Sequence, residues 1–201
     1  MLTLAIQSGG QSSRMGQDKG LLDFLGKPLI ARVMGRLASI ADEIIVTTNH
    51  PEDYLFVGVP LHPDLKPDRG ALGGLYTALA SASHPLVAVV ACDMPFASAD
   101  LLVYARDLLF NSADDAAVPE SGDGMFEPFH AVYRRETCLP AVEQAIASDQ
   151  WKLISWFPQV RVRKITPAEV TRLDPLGLAF GNVNTPEELS QAEQRAREIG
   201  Y

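Results

Sequence analysis

The stretch IQSGGQSSRMGQDKGLL, from Ile6 to Leu22, follows a short apolar run, Leu2–Ile6, that reads as a first β-strand. Glycines at positions 9, 10, 16 and 20 leave no apolar periodicity, so the strand opens into a loop. Glycines let a main chain turn tightly and bring its N–H groups close to a ligand. Arg14 and Lys19 add two cations to that concavity. Such a strand-to-loop junction suits phosphate. A plain surface turn is the alternative, and a basic residue at each end of the loop favours phosphate. Two familiar phosphate loops are excluded. Lys19 is followed by Gly20 rather than Ser or Thr, and adjacent Gly9 and Gly10 break the G-x-G-x-x-G spacing.

A chain of 201 residues predicts a single domain over 1–201, and 47% hydrophobic residues suffice for a sizeable core. The net charge of -8 argues against general affinity for nucleic acid or anionic membranes. A polyanionic ligand must then be met by a local basic site, which makes Arg14 and Lys19 more telling. Cys92 and Cys138 form no C-x-x-C, so neither a disulfide framework nor a zinc ribbon is expected. The apolar run from Pro85 to Cys92 is too short to span a bilayer. With no signal peptide at the N-terminus, a soluble cytoplasmic protein is expected.

Beyond the glycine loop, strand-like and helix-like segments alternate. Pro28 opens a helix, and strands are expected over 43–48 and 57–61. A helix over 71–81 starts in the cluster Gly70-Ala-Leu-Gly-Gly74. The uniformly apolar Leu86–Ala91 reads as a strand buried on both faces. Helices over 98–110, 136–147, 151–157 and 186–199, and strands over 115–118, 128–133 and 160–165, complete the pattern. Thr185 caps the last helix, with Glu187 and Glu188 in its first turn. This alternation predicts an α/β fold: three α/β/α layers around a mostly parallel sheet, Rossmann-like, with ligands at the carboxyl ends of the strands.

Asp93, in Ala-Cys-Asp-Met-Pro, lies just past the buried strand and on the same edge as the glycine loop. A carboxylate beside a phosphate site suits Mg²⁺; capping of the next helix is the alternative. Cys92 reads as a small buried filler. Asp64 could hydrogen-bond a sugar or base, or serve its turn, while Asp68 and Arg69 read as a solvated turn. Gly70 to Gly74 either admit a base or ribose or form a closely packed helix start. Asn182 and Asn184 share one face of an extended segment and could hold a phosphate, a pterin or a metal-bound water; helix-entry bonding is the alternative. The four histidines lack ligand spacing. Ser12 and Ser13 have no histidine partner, and Glu127 and His130 approach a second substrate or sit in a surface turn.

Four stretches together resemble the molybdenum cofactor guanylyltransferases: SGGQSSRMGQDKGLL, GALGG, ACDMP and NVNTPEEL. They stand in the family's order and span nearly the whole chain. The resemblance implies a nucleotidyltransferase that moves GMP from GTP to the terminal phosphate of the molybdenum cofactor with Mg²⁺. By position, Gln7, Ser8 and Gly9 would line the base and ribose. Gly10, Gly70 and Gly74 join the nucleotide set, and Thr47 and Asp64 give further nucleotide contacts. Lys19 would contact phosphate, helped by Arg14 and Gly16. Asp93 would hold Mg²⁺ and touch the nucleotide, and Asn182 and Asn184 would face the pterin. Arg14, Lys19 and Asp93 are thus the catalytic set. The partners implied are GTP, molybdopterin and, transiently, proteins that supply or receive the cofactor, with no nucleic acid and no membrane. The family usually has Leu-Ala where this chain has Gln7-Ser8. Gly9-Gly10 resembles the guanylyl branch, whereas cytidylyl enzymes more often show Ala-Ala-Gly. A cytidylyltransferase, another nucleotidyltransferase, and a non-catalytic nucleotide- or cofactor-binding module remain the alternatives.

Overall fold

The computed structural model describes residues 1–8, 18–122 and 124–201. Strand β1 (Leu2–Gln7) is buried along its whole length. A short hairpin, β2 (Asp23–Phe24) with β3 (Lys27–Pro28), was not expected from the sequence. Pro28 closes this hairpin, and helix α1 (Leu29–Leu37) starts one residue later. Proline suits that entry, because the first helical N–H groups have no intrahelical partner.

Strands β4 (Glu43–Thr47) and β5 (Leu61–His62) flank a 3₁₀ helix, Pro51–Val57. The strand expected over 57–61 is therefore corrected. Tyr54 and Val57 are the buried residues of this segment, three apart, which is the 3₁₀ period. Only Leu61 and His62 pair with β4. Then come α2 (Gly70–Ser81), β6 (Leu86–Ala91), α3 (Ala99–Phe110), β7 (Ala116–Pro119), β8 (His130–Arg134) and α4 (Arg135–Ala147). Strand β9 (Val162–Ile165), α5 (Pro167–Leu173) and α6 (Pro186–Glu198) follow. The helix expected over 151–157 does not form. Turns and a 3₁₀ helix, Phe157–Gln159, take its place. Pro158 has no N–H to extend a helix, and the Trp156 indole donates to the Leu153 carbonyl at 2.8 Å.

Seven strands form one sheet in the order β5-β4-β1-β6-β8-β7-β9, parallel except for β8. Side chains alternate across it. Leu4, Ile6, Ala88 and Val90 pack with α1 and α3, while Ala5, Ile45, Val87 and Val89 pack with α2 and α4. Each fully buried leucine or valine contributes about 1.5–3 kcal/mol of transfer free energy. The result is the expected three-layer fold. The chain leaves β1 toward β4 and later returns to β1's other side as β6, which makes the carboxyl end of β1 the switch point where such sheets bind ligands. Among the described residues, no helix is long and apolar enough to cross a membrane.

A third, smaller core joins distant parts of the chain: Leu22, Phe24, Leu29, Phe96, Val183 and Ala196. Phe24, Phe96 and Tyr201 meet edge to face, with centroids 5.6 to 6.1 Å apart. This core pins the segment before α6 against the loop after β6.

His130 is neither in a surface turn nor exposed to a substrate. It is fully buried, and its Nε2 accepts the Ser98 N–H at 2.8 Å, at the entry of α3. Burial lowers its pKa to about 4. The unfolded chain takes up this proton near the ordinary value of about 6.5, and the folded chain only near 4. Stability is therefore full above pH 6.5 and declines as pH falls toward 4. Unfolding curves at several pH values should show a loss of about 3 kcal/mol across that window. His130→Gln should flatten it; an unchanged slope would assign the loss to other groups.

Candidate active site

Strands β1 and β6 end side by side, with Gln7 in register with Ala91. The Cys92 N–H donates to the Gln7 carbonyl at 3.0 Å, which sets Asp93 at the edge of the switch point. Lys19 begins a short 3₁₀ turn, Lys19–Leu21. Its Nζ lies 3.0 Å from Asp93 Oδ2 and also donates to Asn184 Oδ1. Asn184 is delivered by its neighbour Val183. The Val183 N–H donates to the Asp93 carbonyl at 2.9 Å, and the Val183 side chain is buried in the third core. Asn182 and Asn184 therefore flank it on the exposed side.

A carboxylate oxygen and an amide oxygen thus converge on a single cation. The pair is partly shielded, with side-chain exposures of 23% for Lys19 and 13% for Asp93. At such depth a charge interaction exceeds that of a fully solvated pair. Both oxygens are hard donors, and this set fits Mg²⁺, which takes one or two carboxylates plus phosphate oxygens. A second acidic group, His50, Glu52 and Asp53, is exposed and lies at the start of the 3₁₀ helix.

The other expected residues are placed as follows. Gly9, Gly10, Arg14 and Gly16 lie outside the described residues. Ser8 is buried, with its hydroxyl turned toward Tyr54. Gly70 opens α2 at a φ of 52°. Gly74 makes room for Gln7, because a Cβ there would stand 1.7 Å from Gln7 Nε2. Gln7 and Thr47 are cross-strand partners, and Gln7 Oε1 and Thr47 Oγ1 are both buried without a hydrogen-bond partner among the described residues. Such an orphan costs about 1–3 kcal/mol. Gln7→Leu should therefore stabilise the free protein by about 1 kcal/mol and raise Tm by a few degrees. A lower Tm in a thermal melt would show that the amide is engaged.

Asp64 lies past β5 in a reciprocal pair with Asn49. Asn49 Nδ2 donates to Asp64 Oδ2 at 3.1 Å, and the Asp64 N–H donates to Asn49 Oδ1 at 3.0 Å. Asn49 is not among the residues expected from the sequence. Its signal was the alternation beyond β4, two residues after Thr47. Arg69 is tied rather than simply solvated: it meets Asp149 at 2.5 Å and lies 4.9 Å from the Trp151 ring centroid. Cys92 is buried and its thiol pKa is pushed up by that burial, as suits a filler rather than a nucleophile.

Residues 4–162 match the family described as the MobA-like NTP transferase domain. The chain is 34% identical over 195 residues to the molybdenum cofactor guanylyltransferase of Desulfosudis oleivorans, covering 96% of this chain and 94% of that one. It is 30% identical over 196 residues to the molybdenum cofactor guanylyltransferase of Syntrophotalea carbinolica, covering 98% and 92%. Molybdopterin-guanine dinucleotide biosynthesis protein A from Archaeoglobus fulgidus shares the fold. That crystal structure has a TM-score of 0.83 at 22% identity, over 98% of this chain and 99% of the other. With its site at the switch point and full-length relatives of one name, the chain belongs to the MobA-like NTP transferases, among the molybdenum cofactor guanylyltransferases.

Proposed function

We propose that this protein transfers GMP from GTP to the terminal phosphate of the molybdenum cofactor, forming molybdopterin guanine dinucleotide. The observation that carries this reading is the convergence of Lys19, Asp93 and Asn184 at the switch point, in a chain of this family. An oxygen of the acceptor phosphate forms a bond to the α-phosphorus of GTP. The bond from that phosphorus to the bridging oxygen breaks, and pyrophosphate leaves with the electron pair.

Both reactants are anions, so the barrier falls when cations hold them together and meet the charge of the transition state. Lys19 supplies one such cation, and Arg14 a second. Asp93 would hold Mg²⁺, with Asn184 beside it; when bound, the ion neutralises phosphate oxygens. No side chain has to remove a proton, because the acceptor phosphate is already ionised near neutral pH. Gln7, Thr47, Asn49, Asp64 and the start of α2 would face the nucleoside, and Asn182 and Asn184 the acceptor. The cytoplasm suits two buried, unpaired cysteines.

The test is pyrophosphate release with molybdopterin and Mg²⁺, comparing GTP, CTP, ATP and UTP. Release with GTP alone is expected. Release with CTP instead would move the protein to a cytidylyl reaction. Tight nucleotide binding without release would replace the enzyme reading with a binding module or another acceptor. Omitting Mg²⁺ should abolish release.

A further inference from the structure

Lys19 is flanked by Asp18 and Gly20, and both neighbours rest on two buried hydroxyls. Asp18 Oδ1 accepts the Gly20 N–H at 3.2 Å and lies 3.3 Å from Ser8 Oγ. Ser8 Oγ donates to the Tyr54 hydroxyl at 2.5 Å. Burial and the nearby Asp18 carboxylate both favour the protonated form of the Tyr54 hydroxyl. Ser8 and Tyr54 are both fully buried. The turn fits closely against them, because a Cβ at Gly20 would stand 2.7 Å from both Ser8 Oγ and the Tyr54 oxygen. Ser8 is itself fixed to the sheet, its N–H donating to the Thr47 carbonyl at 2.8 Å. Tyr54 comes from the 3₁₀ helix between β4 and β5, with its ring stacked on Phe56. Hydrogen bonds therefore tie Ser8, at the end of β1, to Tyr54 on one side and to Asp18 and the turn that presents Lys19 on the other.

We propose that Tyr54, acting through Ser8 and Asp18, is a positioning residue that holds the Lys19 ammonium where charge develops on the transferring phosphate. The proposal rests on the reading of Lys19 as the phosphate cation. Its physical basis is the steep dependence of catalysis on placement, in which a displacement of about 1 Å can cost 10²-fold.

The experiment is steady-state pyrophosphate release, with GTP, molybdopterin and Mg²⁺, by Tyr54→Phe, Ser8→Ala and Lys19→Ala and by the two double variants with Lys19→Ala. Tyr54→Phe keeps the buried ring and removes only the hydroxyl. Ser8→Ala removes the hydroxyl that bridges Tyr54 and Asp18 and guards against a folding failure at Tyr54. Each is expected to lower kcat about tenfold, while KM for GTP stays within about twofold. In the Lys19→Ala background neither should lower kcat further. Equal losses in both backgrounds, or a lower Tm with unchanged kcat, would overturn the positioning role. A nearly inactive Lys19→Ala protein beside normal Tyr54→Phe and Ser8→Ala proteins would also overturn it, leaving the reading of Lys19 intact. Normal turnover by Lys19→Ala would instead remove the reading on which the proposal rests.

Discussion

Asp93→Asn is expected to lower GMP transfer by about a thousandfold or more, equivalent to about 4 kcal/mol of transition-state stabilisation. The substitution keeps the size and shape of the side chain. The Asp93 main-chain carbonyl still accepts the Val183 N–H, so the segment carrying Asn182 and Asn184 keeps its anchor. What is lost is the negative charge that faces Lys19 at 3.0 Å and that would hold Mg²⁺. An amide oxygen is a poorer donor to a hard divalent ion. The check is pyrophosphate release at saturating GTP together with a thermal melt. A folded Asp93→Asn protein with near-normal turnover would remove Asp93 from the metal role.

Lys19→Ala should lower kcat by about 10²–10³-fold, the range seen when one preorganised charge donor is removed from a transition state. In the free protein the lysine also balances Asp93 and binds Asn184. Its loss leaves a partly buried carboxylate without its cation, so a small loss of stability should accompany the loss of rate. Lys19→Arg should not restore the rate. A planar guanidinium cannot place a compact charge between two oxygens set for an ammonium. Full activity in Lys19→Arg would show that net charge, rather than its placement, is what matters.

The elements most legible in the sequence were those whose pattern is local and complete. Strand β6 has the bounds read from its apolar run, because a strand covered on both faces has no polar position to blur its ends. Helix α6 carries its start signal in Thr185, Pro186 and Glu188, and Thr185 and Glu188 form a capping box. The 3₁₀ helix at 51–57 was hidden. It is short, and the two side chains that define it, Tyr54 and Val57, are identified by where they are buried rather than by a repeating pattern. Residues 151–157 carried an apolar pattern but not the length to sustain a helix before Pro158.

The candidate site divides in the same way. The strand-loop junction at the end of β1, the aspartate past β6 and the paired asparagines before α6 were each legible, because each departs from its local pattern at a strand end or helix entry. Tyr54 and Asp18 were not, since nothing adjacent in the chain marks their partners, and Asn49 continues the alternation of β4 but meets Asp64 only 15 residues farther on. The sequence by itself determined the α/β class, the buried strands and the residue types offered at the carboxyl edge. Only the tertiary structure decided that Lys19 meets Asp93 and, 165 residues farther along, Asn184. That meeting depends on the register of β1 with β6 and on burial of Phe24, Phe96 and Val183 in one small core. Register and shared burial are set by surfaces that come together only when the chain folds, so no local run of residues can encode them.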